Sequence, residues 1–90
     1  ITAMKVVIAI VRDTDDQKVL SRLVSSEYRV TRVASTGGFL RRGNVTLLIG
    51  VDEPKVQGVI DLLRETCAQP EPGQARATVF VVDAAHFEQV

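Results

Sequence analysis

Three runs of this chain are almost continuously apolar, one run alternates, and two stretches repeat their apolar positions at helical spacing. Residues 5–11 and 45–51 are rich in Val, Ile and Leu, and each reads as a strand buried on both faces. Residues 77–82 form a third apolar strand. Residues 28–34 alternate instead. Arg29, Thr31 and Val33 fall on one face, and Tyr28, Val30 and Arg32 on the other. Thr14-Asp15-Asp16-Gln17 has the form of a capping box, with Thr14 as N-cap and Gln17 reaching back. The two aspartates suit the positive end of a helix dipole. Val19, Leu20, Leu23 and Val24 then make one helical stripe, which should stop near Ser25-Ser26. A second helix follows Asp52, a candidate cap, and Pro54, tolerated in a first turn because that N–H has no intrahelical partner. Its apolar face is Val56, Val59, Ile60, Leu62, Leu63 and Cys67. The Pro- and Gly-rich residues 69–74 end it in a loop.

The predicted order is βαββαβ. Two split βαβ units of this kind make a ferredoxin-like α+β sandwich, with helices on one face of a largely antiparallel sheet. Ninety residues amount to a single domain over 1–90, with a small core. The second sheet face, with Val30, Leu48 and their neighbours as candidates, is too apolar to face water. A homo-oligomer that packs sheets or sheet edges together would cover it.

Composition narrows the function. The formal net charge is zero, which argues against a nucleic acid polymer as partner but leaves room for a small anion on a local basic cluster. The single cysteine, Cys67, excludes an internal disulfide and any multi-cysteine metal site, and reads as a structural thiol. The apolar run at 6–11 is too short to cross a membrane, and no charged region precedes it as in a signal peptide. The expectation is a cytoplasmic protein without a membrane partner. Ile1-Thr2-Ala3 ahead of Met4 read as a cloning remnant before a native start.

The chemistry concentrates in Thr36-Gly37-Gly38-Phe39-Leu40-Arg41-Arg42-Gly43-Asn44. Paired glycines permit positive φ and close backbone approach, and their N–H groups can form an anion-binding concavity. The same residues would also serve an ordinary hairpin connection. Phe39 and Leu40 favour binding, because two large apolar side chains at a loop tip need a partner or a ligand to bury them. The segment has neither Walker A spacing nor the dinucleotide fingerprint. Catalysis has little support. The lone histidine, His86, lies near the C-terminus, and Ser35 or Thr36 with His86 and Asp83 supply residue types without a motif. One histidine among scattered carboxylates is also a poor metal site. The expectation is no enzyme, no metal and no cofactor.

Residues 7–11 (Val-Ile-Ala-Ile-Val) with Asp13, Tyr28-Arg29-Val30-Thr31, the 36–44 segment and residues 77–81 (Ala-Thr-Val-Phe-Val) closely resemble the bacterial cyclic-di-AMP receptor family with a PII-like fold. The resemblance runs from Met4 over nearly the whole chain and is most specific at 36–44. It implies a homotrimer with one cyclic dinucleotide at each subunit interface. The ligand shell it implies is Arg29, Thr31, Gly38, Phe39, Leu40, Asn44 and Gly50, with Phe80 and Gln89 near the other end of the site. Physical roles suit these types. Arg29 offers a cation to phosphate, Gly37 and Gly38 offer backbone donors, Phe39 a stacking face, and Asn44 a match to adenine's donor–acceptor edge. Two departures stand out. The family's long loop before the last strand is here a short, Pro-rich stretch at 67–76, and Val90 replaces an aromatic end. The resulting expectation is a non-enzymatic PII-like signalling protein that binds cyclic-di-AMP and acts on an unidentified downstream protein. The rival is a PII-like trimeric interaction protein that responds to another adenylate or to no small ligand.

Overall fold

A computed structural model describes residues 3–33, 43–67 and 77–85. The βαββαβ order holds: β1 (Met4–Arg12), α1 (Asp16–Ser25), β2 (Arg29–Val33), β3 (Asn44–Asp52), a 3-10 turn (Glu53–Lys55), α2 (Val56–Thr66) and β4 (Ala77–Asp83). The strands form one sheet in the order β2-β3-β1-β4, and every pairing is antiparallel. With two helices on one face, this is the ferredoxin-like arrangement expected of that order.

The core lies between sheet and helices. Val7, Ala9 and Val11 of β1 and Val45, Leu47, Ile49 and Val51 of β3 meet Val19 and Leu23 of α1 and Val59, Leu62 and Leu63 of α2. Cys67 is buried with them, in keeping with a structural thiol. The alternate residues of β1 and β3 are only half-buried. This corrects the expectation of strands buried on both faces. A continuous apolar run shows that both faces avoid water, but not that the same chain covers both. A second correction concerns Val30. It pairs with Ile49 and packs against the core, so it is not part of the uncovered face.

The helices also differ in detail from expectation. The N-cap of α1 is Asp15, with no side-chain capping bond, so the Thr14–Gln17 capping box does not form. Asp15 and Asp16 turn inward instead and are buried. Val24 leaves the helical stripe and is 59% exposed, because Val19 and Leu23 already fill the contact with the sheet. Asp52 precedes the 3-10 turn, also without a side-chain cap, and Pro54 sits in that first turn as expected. The end of α1 is sharp. The Tyr28 N–H donates to Leu23 O and the Glu27 N–H to Val24 O, each at 3.0 Å, with Glu27 left-handed at φ 65°. A left-handed residue just past a helix redirects the chain at once, and here it delivers Arg29 to the first position of β2. Gly58 of α2 makes room for this corner, since a Cβ there would stand 3.0 Å from Tyr28 Oη.

Candidate functional site

Directly opposed residues in an antiparallel pair share a face, so the registers spell out the uncovered face row by row. Arg29, Gly50, Val6 and Val82 form one row. Thr31, Leu48, Ile8 and Phe80 form the next, and Val33, Thr46, Ile10 and Thr78 the third. Asn44 lies opposite Arg12 beyond them. Five expected ligand residues therefore occupy this one face: Arg29, Thr31, Asn44, Gly50 and Phe80. Gly37, Gly38, Phe39, Leu40 and Gln89 lie outside the described residues, as do Ser35, Thr36, His86, and Ile1 and Thr2 of the expected remnant.

The five do not form one cluster within a single chain. Arg29 and Thr31 stand on the β2 edge and Phe80 on the β4 edge. Three strand steps separate them, about 14 Å at the usual spacing. Phe80 is 54% exposed there, with Val82 beside it on the same face. At the β2 end, Gly50 has no side chain between Arg29 and Val6, and a cleft of about 340 Å³ opens. Its lining includes Glu27, Tyr28, Arg29, Gly50, Asp52 and Lys55. Glu27, Tyr28 and Lys55 were not singled out from the sequence as site residues. They reach the cleft only because the helix end and the 3-10 turn converge on it, which no local motif announces.

Several charged groups fall into pairs. Arg32 faces the helix side of β2, where its Nε donates to Asp16 Oδ2 at 2.8 Å. Arg12 Nε stands 3.4 Å from Asp15 Oδ2, an ion-pair separation. At the far end of the sheet Lys5 Nζ donates to Asp83, and that hydrogen bond, helped by the charges of Asp83 and Glu53, raises the Lys5 pKa above 10.5. Among the described residues no cluster of three or more His, Cys, Asp or Glu side chains could hold a metal ion. No helix there is long and apolar enough to cross a membrane. The arrangement offers cations, a hydroxyl, an amide and an aromatic ring on an apolar sheet. It is suited to holding a flat, anionic, aromatic-bearing ligand.

Comparison with known proteins finds one family and two similar structures. The sequence profile described as cyclic-di-AMP receptor matches residues 4–72. A crystal structure of a functionally unknown protein from Pediococcus pentosaceus superposes with a TM-score of 0.82 at 31% identity, covering 100% of both chains. The structure of Arabidopsis thaliana PII bound to citrate superposes with a TM-score of 0.67 at 26% identity, covering 93% of this chain and 77% of the other.

Proposed function

The chain belongs to the cyclic-di-AMP receptor family and has a PII-like fold, and on that premise we propose that it is a non-enzymatic signalling protein that binds cyclic-di-AMP between the subunits of a homotrimer. The observation that carries the proposal is the placement of Arg29, Thr31, Asn44 and Gly50 on one face that the chain's own helices leave uncovered. Arg29 would neutralise a phosphate, with Thr31 beside it as a hydroxyl donor. Gly50 keeps the sheet surface low so that a ligand can approach the backbone. Asn44 would donate to a ring nitrogen of adenine and accept from its amino group. Phe39 would offer a stacking face to the base, Leu40 an apolar contact, and Gly37 and Gly38 backbone donors.

A shared site explains the distance between the two edges. Phe80 of one copy, with Gln89 beyond it, would serve the pocket that Arg29 and Thr31 begin on another. The same association would bury Ile8, Ile10, Leu48 and Phe80, apolar side chains that the chain's own helices leave uncovered. Ligand binding would then favour one arrangement of the interface and of the surface presented to a downstream protein.

Calorimetric titration with cyclic-di-AMP, cyclic-di-GMP and ATP tests this reading. Saturable binding of cyclic-di-AMP at one site per subunit, tighter than the other two, is the expected result. Preference for ATP would support a PII-like protein that answers to another adenylate. Absence of binding to all three would leave a trimeric interaction protein.

A further inference from the structure

Strand β2 carries two of the proposed ligand contacts and is the least secured strand of the sheet. Among the described residues it has five residues, lies at an edge, and pairs with β3 alone. Of its side chains only Val30 and Arg32 face the helix layer, opposed to Ile49 and Leu47. Val30 packs on the core. Arg32 reaches over to α1, where Asp16 Oδ2 accepts from its Nε at 2.8 Å. Asp16 is 4% exposed and its neighbour Asp15 is 3% exposed. Two adjacent carboxylates buried at one helix start repel each other and lose hydration, so each needs its own cation. Asp15 has Arg12, the last residue of β1 and the one opposed to Asn44. The same turn holds the chain just before Asn44, because the Asp13 N–H donates to the Gly43 carbonyl at 2.7 Å.

Half-buried ion pairs of this kind add little net stability compared with apolar packing, but they fix geometry. The planar guanidinium makes that geometry directional. In this fold the Asp16–Arg32 pair fixes β2, whose opposite face carries Arg29 and Thr31, whereas Arg12 is opposed to Asn44 and shares its face. We propose that Asp16, acting through Arg32, is a positioning residue that ties β2 to the start of α1 from behind the ligand-binding face. The proposal rests on the cyclic dinucleotide reading above, yet it has a consequence in the ligand-free protein.

The experiment compares the parent with Asp16→Asn, Arg32→Gln, the double variant, and Leu47→Val as a purely packing control. Amide hydrogen exchange is followed in β2 and in the β1–β4 pair, and cyclic-di-AMP affinity is measured alongside. Loss of the pair should speed exchange in β2 about tenfold while β1–β4 exchange stays with the global stability. Affinity should fall about tenfold in each single variant, and the double variant should be no worse than either, because the pair acts as a unit. Leu47→Val should speed both regions alike and leave the affinity of the folded protein unchanged. Arg32 is partly exposed, so Arg32→Gln keeps the comparison available if Asp16→Asn fails to fold. Uniform exchange changes across the sheet, or single effects that add in the double variant, would overturn the proposal. If the parent binds no cyclic-di-AMP, the function above fails and the exchange pattern still decides this inference. If the parent binds and the pair variants bind equally well, only this inference fails.

Discussion

The two faces of the sheet are made of the same kind of residue and have opposite fates. On the helix side, Val7, Ala9, Leu47 and Ile49 are at 0% exposure, and the chain completes that core by itself. On the other side, Val6, Ile8, Ile10 and Leu48 remain half-buried and Phe80 is largely open. The apolar residues of the first face reward folding directly. Those of the second give their full stabilisation only against another surface, and the polar groups of the proposed site are set at the margins of that second face. The two-residue period of a strand thus separates the folding face from the face of the proposed function.

The largest effect should come from neighbours that sit on opposite faces. Leu47→Ala leaves a cavity in a closed core and should lower stability by about 2–5 kcal/mol. Leu48→Ala should shift unfolding far less in dilute solution while weakening assembly. Thermal melts at several protein concentrations, with light scattering, check both. If Leu48→Ala destabilises as much as Leu47→Ala and leaves assembly unchanged, the contrast between the faces collapses.

Ligand binding sharpens the same contrast. Arg29→Ala removes the cation from a phosphate and should weaken cyclic-di-AMP binding by about 2–5 kcal/mol, as for a truncated charged pair. Phe39→Ala should remove about 1–3 kcal/mol of stacking. Parent-like titrations of both variants would remove the pocket from this face.

Base choice is a finer test. Guanine presents an acceptor where adenine presents its amino donor, so one bond to Asn44 becomes unfavourable. A mismatch of this kind costs about 1–3 kcal/mol. Competition titrations should therefore favour cyclic-di-AMP over cyclic-di-GMP, with Asn44→Ala narrowing the gap. Unchanged selectivity in that variant would assign Asn44 to shaping the strand start alone.

The smallest expected effect is electrostatic. The hydrogen bond to Asp83 raises the Lys5 pKa above 10.5. The stabilisation is thus complete below that value and is lost as the pH rises through the higher folded-state value. Asp83 is well exposed, so screening keeps the effect small. Melting temperature followed from about pH 9 to pH 12 should decline less steeply in Lys5→Met than in the parent. Identical slopes would show that this pair does not contribute.

Much of this was legible in the residue pattern, and the exceptions have physical causes. Strand and helix periods placed all six major elements, and parity put Arg29 and Thr31 on one face. Parity cannot say which face the helices will cover, so Val30 was placed on the wrong side. The pattern also cannot foresee that Asp15 and Asp16 abandon local capping for Arg12 and Arg32. The second of those partners lies sixteen residues from Asp16, and only the closing of β2 against α1 brings them together. The resemblance put Phe80 at the other end of the site, but its distance from Arg29 was not legible. It follows from strand order, which a motif does not carry. The cleft beside Gly50 depends on a left-handed Glu27, where sequence rules would look for glycine.

The central claim is that the uncovered face holds the ligand. Amide and methyl chemical-shift mapping of the isotopically labelled protein during titration with cyclic-di-AMP tests it most directly. The account predicts that the largest shifts fall on Arg29, Thr31, Asn44, Gly50 and Phe80, while Val19, Leu23 and Val59 in the closed core move little. Shifts centred on the outer surfaces of α1 and α2, with that face unaffected, would contradict it.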